Sequence, residues 1–188
     1  MENIKHYPKS YMMSEELKRF FTKVTNDTDL QKQLYNTKTL AEVANIAIEL
    51  GFKIRPAEII QAQAGRILAI LDQQPEDVVY LLSSKKAKTG AQWGRGGNGF
   101  LDNPGYWLMK LASTNAITEN EVLINSFLKK AHKITELEIK LYETKSFNSL
   151  ENLMHEYGFD ISAKKLLSHQ AQKILALNAD DADKVAAN

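Results

Sequence analysis

Two stretches decide the fold: Ala47-Ile48-Glu49-Leu50-Gly51-Phe52-Lys53-Ile54 and Met154-His155-Glu156-Tyr157-Gly158-Phe159-Asp160-Ile161. Each ends an apolar helical stripe at a glycine, follows it with phenylalanine, and places isoleucine two residues on. Glycine takes the left-handed conformation that closes a helix at little steric cost. The phenylalanine after it can then fold back onto the helix just ended.

The two stretches are 107 positions apart, and that shift holds far beyond them. Met13–Val78 aligns without a gap onto Asn120–Val185, with 19 identical pairs in 66 positions. Among them are Phe20/Phe127, Thr28/Thr135, Leu34/Leu141, Gly51/Gly158, Phe52/Phe159, Gln63/Gln170 and Ile67/Ile174. A constant shift of this length marks an internal duplication.

The copies also agree in hydrophobic period. Leu17, Phe20, Phe21 and Val24 in the first, and Ile124, Phe127, Leu128 and Ala131 in the second, recur at one helix face. Ser14 caps the first helix, with Glu15 and Glu16 at its positive end. The second helix is expected to start at a capping box, Thr28 with Gln31 and Thr135 with Glu138. Leu30, Leu34, Leu137 and Leu141 then face inward. Third helices follow, with Val43, Ile46, Ala47 and Leu50 set against Leu150, Leu153, Met154 and Tyr157. Thr39 with Glu42 forms a further capping box.

Fourth helices begin at Pro56, which suits a first helical position, and after Ser162, which suits a cap. Their stripes are Ile59, Ile60, Ile67 and Leu68, and Leu166, Leu167, Ile174 and Leu175. A last short helix is expected after Pro75, with a weaker counterpart after Asn178. No segment alternates with the period of a strand. The chain reads as all-α: an extension at 1–12, a helical repeat at 13–84, an insert at 85–116 and a second repeat at 117–188.

Ser14-Glu15-Glu16-Leu17, Phe20-Phe21, Asp29-Leu30 and the residues 47–54 quoted above, followed by Ala57-Glu58, resemble the Nif-eleven family. Its members are small helical domains associated with nitrogen-fixation loci, and some serve as leader peptides of ribosomally made, modified natural products. The second copy carries the same landmarks at Phe127, Leu137 and Tyr157-Gly158-Phe159-Asp160-Ile161-Ser162-Ala163. The resemblance implies partner or peptide handling, no catalytic residues and no cofactor. Leader members end in a double glycine and a short core peptide. Here Gly96-Gly97 is followed by a whole second copy.

The insert has no counterpart in the repeat. It holds six of the nine glycines and both tryptophans. So many glycines exclude a helix over Trp93–Phe100, and Asn103-Pro104-Gly105 reads as a turn. One reading is a linker whose aromatics plug into the helical units. The other is a recognition loop in which Trp93, Arg95, Phe100, Tyr106 and Trp107 contact a protein or peptide partner.

Composition narrows the function classes. The formal net charge of +1 gives no global field for nucleic acid or an anionic membrane. The chain has no cysteine, which removes disulfides, thiolate metal sites and a cysteine nucleophile. The N-terminus lacks the apolar core of a secretory signal, and no apolar run reaches membrane-spanning length. These features lead us to expect a cytoplasmic protein. His6, His132, His155 and His169 show no metal-ligand spacing, no Gly-x-Ser-x-Gly elbow occurs, and no phosphate-binding glycine motif follows a strand. The expectation is a non-enzymatic binding protein. A leader-type precursor and a small-ligand carrier or enzyme with a pocket between the repeats are the alternatives.

Overall fold

The computed structural model describes residues 13–71, 119–144 and 146–187. Among these residues there are nine α-helices and no strand, as the apolar spacing requires. They are α1 (Glu15–Asn26), α2 (Thr28–Tyr35), α3 (Leu40–Glu49), α4 (Pro56–Leu71), α5 (Glu119–Lys133), α6 (Thr135–Glu143), α7 (Phe147–Glu156), α8 (Ala163–Ala176) and α9 (Ala179–Ala187).

Helix boundaries recur at the sequence shift. α1 and α5 end at Asn26 and Lys133, α2 and α6 begin at Thr28 and Thr135, and α4 and α8 begin at Pro56 and Ala163. The expected faces are buried: Leu17, Phe20 and Val24 on α1, and Ile124, Phe127, Leu128 and Ala131 on α5. Leu30 and Leu34 are buried in one half, Leu137 and Leu141 in the other. The helix expected after Asn178 is present as α9. Its counterpart after Pro75 lies outside the described residues, as does the whole 85–116 insert.

Three expectations at helix ends need correction. The cap of α2 is Asp27, one residue earlier than expected; its Oδ1 accepts the Leu30 N–H at 3.0 Å. Thr28 is therefore the first helical residue, and Gln31 instead donates to the Val24 carbonyl at 2.8 Å. A carboxylate at a helix start gains from the dipole as well as from the hydrogen bond, which favours Asp27 over its neighbour. The cap position of α6 is Ile134, which has no side-chain acceptor, so the box expected at Thr135 with Glu138 does not form. At α3, Thr39 does cap Glu42, but Glu42 reaches back to the Lys38 N–H at 2.6 Å rather than to Thr39. The remaining caps are as read: Ser14 accepts from Leu17, and Ser162 from Lys165.

α4 joins the halves. Ala57, Ile59, Ile60, Gln63, Ala64, Ile67, Leu68 and Leu71 are all buried along it. At 3.6 residues per turn these positions cover roughly half the circumference, wider than one neighbour can hide. α4 therefore packs on α3 of its own half and on both α8 and α9 of the other. α8 contributes Ala163, Leu166, Leu167, Gln170, Ala171 and Ile174, all buried. Alanines at the packed faces let the helices approach closely. At the edge of this joint Gln61 donates to the Leu177 carbonyl at 3.0 Å, and Asp183 accepts the Ala57 N–H at 2.7 Å.

One polar cluster sits between α5 and α8. Glu121 lies 3.2 Å from Lys173 and 3.9 Å from His169, whose side chain is only 11% exposed. The buried His169 Nε2 has no hydrogen-bond partner among the described residues. Burial first, then the Lys173 charge, hold the imidazole below its ordinary range, against the opposing pull of Glu121.

Three outcomes follow. Gly51→Ala and Gly158→Ala should each lower the unfolding free energy by about 1–2 kcal/mol in urea titrations, because a Cβ finds open space but the backbone φ is +90° and +84°. Asp183→Ala should cost about 1 kcal/mol through the lost cap on Ala57, whereas the exposed Asp180→Ala should stay within about 0.5 kcal/mol. An unchanged urea midpoint in either glycine variant, or equal losses at the two aspartates, would contradict these assignments. The folded protein disfavours a protonated His169, so its contribution is fully present above the usual histidine range near pH 6.5 and declines as pH falls through it. The urea midpoint should drop between pH 7.5 and pH 5.5, and His169→Gln should flatten that drop.

Candidate partner-binding surface

The glycine-phenylalanine step forms the same corner in both halves. Leu50 is the last residue of the α3 turn, Gly51 turns left-handed, and the chain reverses. The Phe52 N–H donates to the Ala47 carbonyl at 2.9 Å and the Gly51 N–H to the Ile48 carbonyl at 2.9 Å. This paired closure satisfies carbonyls that a helix end otherwise leaves open. In the second half, Phe159 donates to Met154 and Gly158 to His155, both at 2.9 Å. Each phenylalanine then meets the core edge-on. Phe52 lies 5.5 Å from Phe20 at 65°, and Phe159 lies 5.3 Å from Phe127 at 70°. Such tilted pairs suit the ring quadrupoles.

Outside, the two corners differ. In the second half the position matching Leu50 is Tyr157. Lys130 donates to its carbonyl at 3.1 Å and lies 5.6 Å from its ring and 5.4 Å from that of Phe159. Lys140 stands 5.5 Å from the Tyr157 ring while bonded to Glu156 at 2.8 Å and Glu136 at 3.1 Å. The hydrogen bonds to Glu156 and then Glu136 raise its pKa above the usual lysine value. That corner is covered by cations tied down on several sides.

The first corner is bare by comparison. Ile48 is 56% exposed and Leu50 42%, where the second half has His155 and Tyr157. The apolar stripe led us to expect Leu50 inside. It is the C-cap, one residue beyond the end of α3, where no further turn of helix follows to cover it. Beside this corner an open groove of about 490 Å³ runs along α1, between Glu15, Lys18, Arg19 and Lys23, with Phe52 among its lining residues. The Arg19 guanidinium stands 6.0 Å over the Phe52 ring. Lys18 pairs with Glu15, Arg19 with Glu16 and Lys23 with Asp27, all solvent-exposed. Pairs of this kind cost little to exchange for another partner's charges.

The residues expected from sequence to contact a partner, Trp93, Arg95, Phe100, Tyr106 and Trp107, all lie outside the described residues. Sequence reasoning missed Ile48 and Leu50. The available signal was their replacement by His155 and Tyr157 across the aligned copies. His155 faces Asp160 at 3.8 Å near the end of α7 and is largely exposed. Among the described residues no three His, Cys, Asp or Glu side chains gather as a metal site. No described helix is long and apolar enough to cross a membrane.

The comparisons with known proteins bear on the same region. No curated protein and no solved structure matches the chain. A family model, the Nif11 domain, matches residues 12–59. That span covers α1, α2, α3, the Gly51-Phe52 corner and the first turn of α4. The first-half corner and the groove beside it thus lie within the matched segment, and residues 12–59 are similar to the Nif11 domain.

Proposed function

We propose that this chain is a non-enzymatic accessory protein that binds a protein or peptide partner through the first-half corner. It is built from two tandem Nif11-like copies, 13–84 and 117–188, on either side of the 85–116 insert. The observation that carries the reading is that two large aliphatic side chains, Ile48 and Leu50, are left exposed at the end of α3, just before Phe52, over whose ring Arg19 stands. Exposed apolar residues rimmed by exchangeable charges fit an interaction surface, where aliphatic and aromatic groups supply contact energy and arginine supplies orientation. The repeat is read from the sequence shift and supported by the recurring helix boundaries. A role in nitrogen fixation is part of the proposal through the family resemblance alone.

A second reading, a leader-type precursor, is supported by the Nif11 match itself together with Gly96-Gly97 in the insert. It predicts a processed or modified product. Native protein at its unmodified full-length mass would exclude it.

The binding reading is tested with a photo-crosslinking residue placed at position 48 in the native host. One discrete adduct is expected, reduced at least tenfold by Leu50→Asp and unaffected by Ile139→Asp, which alters an exposed aliphatic on α6. Thermal unfolding of Leu50→Asp should shift only modestly, because the side chain is already 42% exposed. Adducts equally abundant in both aspartate variants would overturn the proposal.

A further inference from the structure

The open groove along α1 has a sign. Its charged lining residues are three cations, Lys18, Arg19 and Lys23, and one carboxylate, Glu15. The other two carboxylates that pair with these cations serve the fold. Asp27 caps α2 by accepting the Leu30 N–H at 3.0 Å, and Glu16 accepts the Lys53 N–H at 3.4 Å. Neither lines the groove. The cations are also incompletely used. Lys23 stands 3.6 Å from Asp27, longer than a hydrogen bond. Arg19 gives one N–H to Glu16 at 2.8 Å, while its side chain is 70% exposed. A guanidinium carries five N–H donors in a planar fork, so most of that fork is left to solvent. With its carbon 6.0 Å over the Phe52 ring, the fork is held at the groove rather than swinging free.

The spacing of the cations sets the spacing of what they fit. Arg19 and Lys23 are four residues apart on one helix, about 6 Å along its axis. Carboxylates four apart on a helix, or two apart on an extended chain, stand at about the same distance. The second half shows that the fold does not need this arrangement. Positions 15, 18 and 19 become Val122, Asn125 and Ser126 there. The retained cation, Lys130 in place of Lys23, is turned onto the Tyr157 carbonyl and over the Phe159 ring. Lysines do replace Thr22 and Asn26, as Lys129 and Lys133, in the last turns of α5. There a helix C-terminus already favours positive charge. Lys18, Arg19 and Lys23 begin earlier, with Lys18 and Arg19 in the first half of α1, so the dipole does not account for them.

We propose that the groove along α1 takes an acidic segment of the partner protein, with one carboxylate on the exposed fork of Arg19 and a second on Lys23. This rests on the reading of the first half as the partner-binding side, and it names the chemistry of what binds there. The cations exchange their weak surface pairs for the partner's carboxylates, and arginine does so with two parallel hydrogen bonds. Glu15, at the start of α1, keeps the acidic segment toward the Arg19–Asn26 part of the groove. A nucleic acid fits less well. Its phosphates call for a continuous positive stripe, whereas here Glu15 interrupts the lining and Glu16 and Asp27 stand behind it.

The test titrates the full chain into a fluorescein-labelled peptide of alternating glutamate and alanine, read by anisotropy. A lysine–alanine peptide and a thymidine oligonucleotide of the same length serve as comparisons. The glutamate peptide should bind and the lysine peptide should not. Arg19→Gln with Lys23→Gln should weaken binding at least tenfold, whereas Lys129→Gln with Lys133→Gln, on the exposed end of α5, should leave it unchanged. Amide shifts on adding the glutamate peptide should concentrate on α1 and around Phe52. If the Lys23 change disturbs the Asp27 cap and lowers the helical circular dichroism, Arg19→Gln alone should still weaken binding at least threefold. No binding of the glutamate peptide, equal losses in the two double variants, or an oligonucleotide bound as tightly as the peptide overturns the proposal. The crosslinking at position 48 is read independently. An adduct there without glutamate-peptide binding would keep the corner as the partner surface and remove only the acidic occupant.

Discussion

A helix with apolar side chains over half its circumference cannot be satisfied from one side, and α4 is such a helix. α3 gives it one wall. The opposite wall comes from α8 and α9, more than a hundred residues further along the chain. Hydrophobic burial is non-directional and scales with area, so it brings the halves together but does not by itself set their register. Register comes from the polar contacts at the edge of the joint: Gln61 on the Leu177 carbonyl, and Asp183 on the Ala57 N–H and Arg55. Each needs a specific distance and direction, so a slip of one helical turn would break them all at once.

Within each half the organising device is local. A helix ends at a positive-φ glycine, two backbone hydrogen bonds close the end, and a phenylalanine is delivered edge-on to a second phenylalanine in the core. This inner part is nearly the same twice because its constraints are tight: only glycine takes that φ cheaply, and the ring must meet its partner phenylalanine edge-on. The outer side has no such constraint, and there the halves have diverged. Tyr157 accepts lysine contacts, while Leu50 is left in water. Selection on packing explains the sameness inside. It gives no reason for two exposed aliphatics outside, which is why that corner is read as a surface for something else.

The legible features were those governed by short-range rules. Apolar spacing located the helices and their buried faces, and Gly51, Gly158, Pro56 and Ser162 marked ends correctly because each acts through its own backbone or a neighbour's. The errors arose where two adjacent residues could do the same job. Asp27 and Thr28 are both good caps, and only the actual backbone path chose between them. At Ile134 no polar cap exists, so nothing in the sequence could mark the start of α6 to the residue. Leu50 was misplaced because a helical stripe was extended one residue past the point where helical geometry stops. The anchoring of Arg55 by Asp183 was beyond sequence reasoning altogether, since it depends on how two distant helices cross. The candidate site was correspondingly poorly legible: aromatic residues drew attention to the insert, whereas Ile48 and Leu50 look like ordinary members of a core stripe.

The extent of the Nif11 match sharpens the role of the joint. It ends at residue 59, within the opening turns of α4. Ile60, Gln63, Ala64, Ile67, Leu68 and Leu71, which extend the buried face of α4, all lie beyond it. The matched segment therefore holds the corner and the first wall, but not most of the surface that needs a second wall. In this chain the second half supplies that wall, and α9 also completes the cap that Arg55 cannot provide. A single unit of this design would leave the apolar face of α4 uncovered and the Ala57 N–H without its carboxylate.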